Sequence, residues 1–110
     1  ENYSNALDLV KIVQEVVRHE SLMQIVGTRQ ATIYSVDKKY EHQLTTTNEL
    51  MLDNPEIIGM KTGFTSKALG NLIILDNHNN HRVLTIVLGS ENREGDTQAL
   101  LSWLLNVYRW

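Results

Sequence analysis

Cysteine is absent from this 110-residue chain, which excludes disulfides and thiolate metal sites. Proline occurs once, at Pro55, and phenylalanine once, at Phe64. No apolar run approaches the roughly 18 to 20 residues of a membrane-spanning helix. Excess charge is also lacking. The formal net charge is −3 and the pI about 5.7, a poor balance for binding nucleic acid or an anionic membrane. The opening residues Glu1-Asn2-Tyr3-Ser4 show no initiator methionine, no basic n-region and no apolar h-region, so the sequence reads as a fragment of a longer chain. What is present suffices for one small domain, because 42% of the residues are hydrophobic and can fill a core.

Ser4 is positioned to cap a helix whose apolar residues are Ala6, Leu9, Val10, Val13, Val16 and Val17. Asp8 near its start and Arg18 and His19 at its end follow the order that the helix dipole favours. Ser21 offers a second cap, for a short turn ending at Gly27. Residues 31 to 46 are rich in β-branched and aromatic types around Asp37-Lys38-Lys39, the pattern of a hairpin that is an edge or a solvent-facing ribbon. A single helical turn over Thr47 to Leu52 is stopped by Asp53-Asn54-Pro55.

Three strands follow, from about Glu56 to Phe64, Leu69 to Leu75 and His81 to Leu88. The polar run Asp76 to Asn80 reads as a loop between the last two. The near-continuous apolar runs suggest strands covered on both faces. A last helix from about Asp96 carries Leu100, Leu101, Leu104 and Leu105, and its apolar stripe with the tryptophans reads as core, with Trp110 at an exposed end. The fold class is therefore α+β, an antiparallel sheet flanked by N- and C-terminal helices, within one unit spanning 1–110.

Gly59-Met60-Lys61-Thr62-Gly63-Phe64-Thr65 is the stretch with chemical potential. Strand alternation puts Lys61 and Gly63 on one side and Met60 and Thr62 on the other. A ligand lying along an open strand edge would meet charge from Lys61, a hydroxyl from Thr62 and close backbone approach at Gly63. The Phe64 N–H could then face a carbonyl oxygen as half of an oxyanion hole. Lys-Thr-Gly alone equally fits a strand with an ordinary lysine and a bulge glycine. His19, His42, His78 and His81 have no metal-ligand spacing, and His78 and His81 read as solvated loop residues. Glu91, Glu94 and Asp96 read as a solvated helix start rather than a catalytic pair.

The flanking motifs narrow the choice. Asn2-Tyr3-Ser4-x-Ala6-x-Asp8-Leu9, Thr47-Asn48-x-Leu50 and Gly59-x-Lys61-Thr62-Gly63-Phe64-Thr65 occur in order. Ala68-x-x-x-Leu72, Val87-Leu88-Gly89 and Leu100-Leu101-x-Trp103 follow them. Together they resemble the D-alanyl-D-alanine carboxypeptidases, low-molecular-weight penicillin-binding proteins of the serine β-lactamase-like superfamily. The resemblance covers the carboxy-terminal part of that family's catalytic domain. Two of the family's three motifs, Ser-x-x-Lys and Ser-x-Asn, match here only by spelling. Ser35-Val36-Asp37-Lys38 falls at a strand-to-turn junction, and Ser90-Glu91-Asn92 follows the last strand. The family has Ala-Gly where this chain has Ala68-Leu69, which bears on the bend beyond the motif.

The resemblance implies a parent enzyme that attacks D-Ala-D-Ala peptide bonds of peptidoglycan stem peptides through a serine, and that β-lactams acylate at the same serine. Lys61 and Thr62 would hold the terminal carboxylate, Gly63 would leave room, and the Phe64 N–H would face the oxyanion. Arg93 would correspond to an arginine that some members direct at substrate. Neither metal nor organic cofactor is implied. The location implied is outside the cytoplasmic membrane, with a signal peptide ahead of residue 1. The chain alone, without the nucleophile, is expected to be inactive and to self-associate through exposed sheet edges. Two other readings stay open: a non-catalytic binding or structural module, and a β-lactamase or esterase of the same superfamily.

Overall fold

The computed structural model describes residues 2–109. Helix α1 (Ala6–Val17) begins at Asn5, whose Oδ1 accepts the Asp8 N–H at 3.0 Å. The cap is thus Asn5 and not Ser4, because Asn5 has the extended backbone that brings a side-chain oxygen onto the third N–H of the helix. Helix α2 (Glu20–Val26) starts two residues earlier than Ser21 as a cap would allow. Its N-cap is His19, and no side-chain bond caps it. Strands β1 (Gln30–Tyr34) and β2 (Glu41–Thr45) form a two-stranded antiparallel ribbon, solvent-facing along β2, as the sequence suggests. The short helix α3 (Glu49–Asp53) follows.

The second sheet is β3 (Ile57–Thr65), β4 (Leu69–His78) and β5 (His81–Ser90), antiparallel in the order β3-β4-β5. The polar run 76–80 is not a loop. The β4–β5 ladder continues to the pair His78↔His81, leaving only Asn79 and Asn80 to turn the chain. Both adopt positive φ, 49° and 64°, which a two-residue turn matched to strand twist requires and which asparagine tolerates better than most residues. Asp76 is accordingly a buried strand residue.

Leu50, Met51, Ile57, Leu72 and Ile74 form the core, with Leu101 of helix α4 (Arg93–Val107) packed against it. The apolar runs of β4 and β5 are less evenly covered than expected. Leu72, Ile74, Val83 and Val87 are buried, whereas Ile73, Leu84 and Ile86 are half-buried and Leu88 is exposed. Helix α4 starts at Arg93, three residues before Asp96, because the Asn92 side chain caps it by accepting the Gly95 N–H at 3.0 Å. It packs on β5 and β4, yet Leu100 and Trp103 are exposed, so its stripe is not all core. Trp110 lies outside the described residues.

Near its start β3 carries a bulge between Ile57 and Gly59. Gly59 has φ 145°, and a Cβ placed there would lie 2.1 Å from the Val26 carbonyl oxygen. The end of α2 therefore crosses β3 in backbone contact, which only glycine permits.

Candidate active site

Strand β3 is at the margin of its sheet. It pairs with β4 on one side, and no described strand pairs with its other side. Lys61 is exposed on this edge strand, Thr62 and Gly63 are half-buried, and the Phe64 side chain is 70% exposed. The Lys61 ammonium donates to the Thr62 carbonyl. At Gly63 an added Cβ would meet only Asn71 Cβ, at 3.8 Å, so packing leaves the surface there open.

Two side chains from distant segments fix this strand. The Thr62 and Thr47 hydroxyls are hydrogen-bonded at 2.6 Å. Arg93, in the first turn of α4, donates through Nη1 to the Gly63 carbonyl at 3.3 Å and through Nη2 to the Thr47 carbonyl at 3.4 Å. Its Nε bonds Glu94 at 2.6 Å. The guanidinium thus joins three segments, and its fork geometry suits it to holding two carbonyls at once. Beside it lies a shallow depression lined by Phe64, Leu69, Gly70, Ser90, Arg93 and Glu94.

The two spelled motifs have structural partners of their own. The Ser35 hydroxyl sits in the β1–β2 turn, donates to Asp37 Oδ1 at 2.6 Å and accepts the Tyr40 N–H. Those bonds to Asp37 hold its carboxyl below the usual range, with the Ser35 hydroxyl the largest cause and the Lys39 N–H next. Ser90 is buried; its hydroxyl donates to Asp96 at 2.5 Å and accepts the Asn92 N–H, so it organises the start of α4. Asp96 is therefore a hydrogen-bonded part of that helix start rather than a simply solvated charge.

This edge strand can be weighed against known proteins. A family model described as D-alanyl-D-alanine carboxypeptidase matches residues 1–92. The chain belongs to the D-alanyl-D-alanine carboxypeptidase family. It is 28% identical over 111 aligned positions to D-alanyl-D-alanine carboxypeptidase DacF of Bacillus subtilis, covering 97% of this chain and 28% of that protein. Among solved structures, a mutant of a Streptomyces DD-transpeptidase superposes with a TM-score of 0.85 at 26% identity. That match covers 96% of this chain and 44% of the other. The D-alanyl-D-alanine carboxypeptidase of Mycobacterium tuberculosis superposes with a TM-score of 0.78 at 25% identity, covering 96% and 41%. The chain thus spans less than half the length of these relatives, and it has their penicillin-binding-protein fold over that span.

Within the D-alanyl-D-alanine carboxypeptidase pattern, Leu69 departs from the expected glycine, and the chain bends there all the same. Leu69 adopts φ 56°, a left-handed conformation that glycine enters freely and leucine does not. The side chain of Asn71 steadies the turn by donating to the carbonyls of Ala68 and Leu69. The Thr47 contact to Thr62 is what sequence reasoning missed. Thr47 was legible as part of the family pattern, but no spacing rule places it against a strand 15 residues later.

Proposed function

We propose that this chain supplies the substrate-carboxylate wall of a serine-type D-Ala-D-Ala carboxypeptidase acting on peptidoglycan stem peptides outside the cytoplasmic membrane. In this reading Lys61 neutralises the terminal D-Ala carboxylate, and the Thr62 hydroxyl donates to it. Gly63 keeps the strand approachable. The Phe64 N–H stabilises the oxyanion formed as the serine oxygen attacks the penultimate D-Ala carbonyl. The peptide C–N bond then breaks, terminal D-Ala leaves with a proton, and water hydrolyses the acyl ester. β-Lactams would acylate the same serine. We infer that this serine comes from outside the 110 residues, so the isolated chain has negligible hydrolytic activity.

One observation carries the reading: Lys61-Thr62-Gly63 lies on an edge strand with a free margin. The Thr62 carbonyl accepts from the Lys61 ammonium, so the cation is held at the strand segment whose Phe64 N–H this reading assigns to the oxyanion. Arg93 enters as a positioning residue. It holds the Gly63 and Thr47 carbonyls, which fixes the strand that carries Lys61.

The test is hydrolysis of a D-Ala-D-Ala peptide and acylation by a chromogenic β-lactam in the full-length protein. Lys61→Ala should lower kcat/KM for the peptide on the order of 100-fold, the scale of a lost charge-assisted bond. Unchanged peptide kinetics would refute the assignment of Lys61. Rapid turnover of the β-lactam, with no peptide hydrolysis, would point instead to a β-lactamase.

A further inference from the structure

Away from the Lys61 edge, at the opposite end of the β3–β4 ribbon, a second group of side chains converges. Glu56 lies just before β3, with its carbonyl accepting the Asn77 N–H at 3.0 Å. Asp76 and His78 are two residues apart on β4, so their side chains leave the same face. One ligand atom from each of Glu56, Asp76 and His78 lies within 4.8 Å of the others. The Nδ1 of His78 is 3.2 Å from a Glu56 carboxylate oxygen. That is close to the separation of two neighbouring ligands on one tetrahedral ion, roughly 3.3 Å for metal–ligand distances of about 2.0 Å. Asp76 is the telling member: it is 3% exposed, and its Oδ1 has no hydrogen-bond partner.

We propose that Glu56, Asp76 and His78 form a binding site for a divalent transition-metal ion of the zinc class. Two carboxylates and an imidazole are the mixed oxygen and nitrogen donors that suit zinc and its neighbours better than magnesium or calcium, which prefer oxygen alone. A buried carboxylate needs a hydrogen bond or a counter-charge, and a bound dication would give Asp76 both a ligand bond and charge neutralisation. Burial raises the Asp76 carboxyl above its usual range, and the nearby Glu56 charge pushes the same way, against smaller opposing effects of His78 and the Asn77 N–H. No lysine or arginine is among the charges that act on it. The imidazole would bind in its neutral form, releasing any extra proton to solvent and exchanging its bond to Glu56 for one to the metal. Water would complete the shell.

The site is far from the edge assigned to substrate. Asp76 is six strand residues from Gly70, the partner of Phe64, or about 20 Å at about 3.3 Å per residue. Its effect would be structural: an ion there ties the entry of β3 to the end of β4. This inference does not depend on the proposed activity.

The test is titration of the full, chelator-stripped chain with Zn²⁺, followed by calorimetry and thermal melting, with Co²⁺ as a visible-absorption probe. One Zn²⁺ should bind saturably and raise Tm, and Co²⁺ should give the ligand-field bands of a low-coordinate site. Asp76→Asn and Glu56→Gln should each weaken Zn²⁺ binding by more than about tenfold. Glu56 is exposed, so its variant folds even where a change at Asp76 disturbs the core. His19→Gln is the control, because His19 and Glu15 form an exposed pair at 3.0 Å that could attract zinc on its own. Binding lost with His19→Gln would overturn the proposal. So would binding that survives Glu56→Gln, equal binding of Mg²⁺, or no saturable binding at all.

Discussion

The two ends of the β3–β4 ribbon are built from the same pair of strands and behave as opposites. At the Lys61 end the strand margin is open, Lys61 is exposed, and Thr62 and Gly63 are tied to Thr47 and Arg93. At the Asp76 end the strand is bulged, a helix crosses it in backbone contact, and a carboxylate oxygen is buried without a partner. An exposed lysine on an edge is inexpensive, because water still solvates it. A buried carboxylate is costly unless something answers it. The motif end leaves its cation in solvent, while the other end combines close backbone packing with a buried carboxylate.

The most severe way to break this contrast is Gly59→Ala. The new methyl would overlap the Val26 carbonyl, so a loss of about 3 kcal/mol or more is expected by chemical denaturation. A loss below about 1 kcal/mol would show that α2 does not bear on β3 as described. Next comes Asp76→Asn, measured with a chelator present. Removing a buried charge whose ionised form the fold disfavours should raise metal-free stability at neutral pH by about 1 kcal/mol. A clear destabilisation there would mean the carboxylate has a partner the contrast overlooks.

At the open end, Leu69→Gly should stabilise by up to about 1 kcal/mol, by relieving the left-handed leucine. A melting curve shifted downward would show that leucine packing outweighs backbone strain. Smallest is an effect beyond the ribbon, in the β1–β2 turn. Asp37 has a folded pKa below its unfolded value of 3.8, so its contribution is present above pH 3.8 and fades as pH falls through the lower folded value. Amide exchange at Lys39 and Tyr40, which bond Asp37 and Ser35, should accelerate over that window. No acceleration would mean that the carboxylate does not hold the turn.

Much of this was readable without coordinates. The periodicity of Leu9, Val13 and Val16 and the β-branched run Val83 to Val87 announce their elements, because burial demands one spacing for helices and another for strands. The helix starts were misplaced by one to three residues, since serine and asparagine compete as caps and only backbone geometry decides between them. The run 76–80 was misread because a strand of polar residues looks like a loop. Its true status rests on two asparagines able to turn left-handed and on the cover over Asp76.

For the candidate site, Lys61, Thr62, Gly63 and Phe64 were contiguous and so could be singled out, with family order in the flanks adding weight. The clamp from Arg93 was not legible as a clamp. It joins residues 30 and 46 positions apart, which no local pattern encodes. Glu56 and His78, 22 positions apart, are separated in the same way, and His78 by itself reads as a solvated loop residue.

The order of amino acids by itself determined the elements, the cationic triplet and the family pattern, because those depend on neighbours along the chain. Only the tertiary structure decided that the triplet lies on a free margin, that Arg93 braces it, and that two carboxylates and an imidazole meet at the far end. Those facts depend on strand register and helix crossing, which bring side chains together across distances that sequence spacing does not measure.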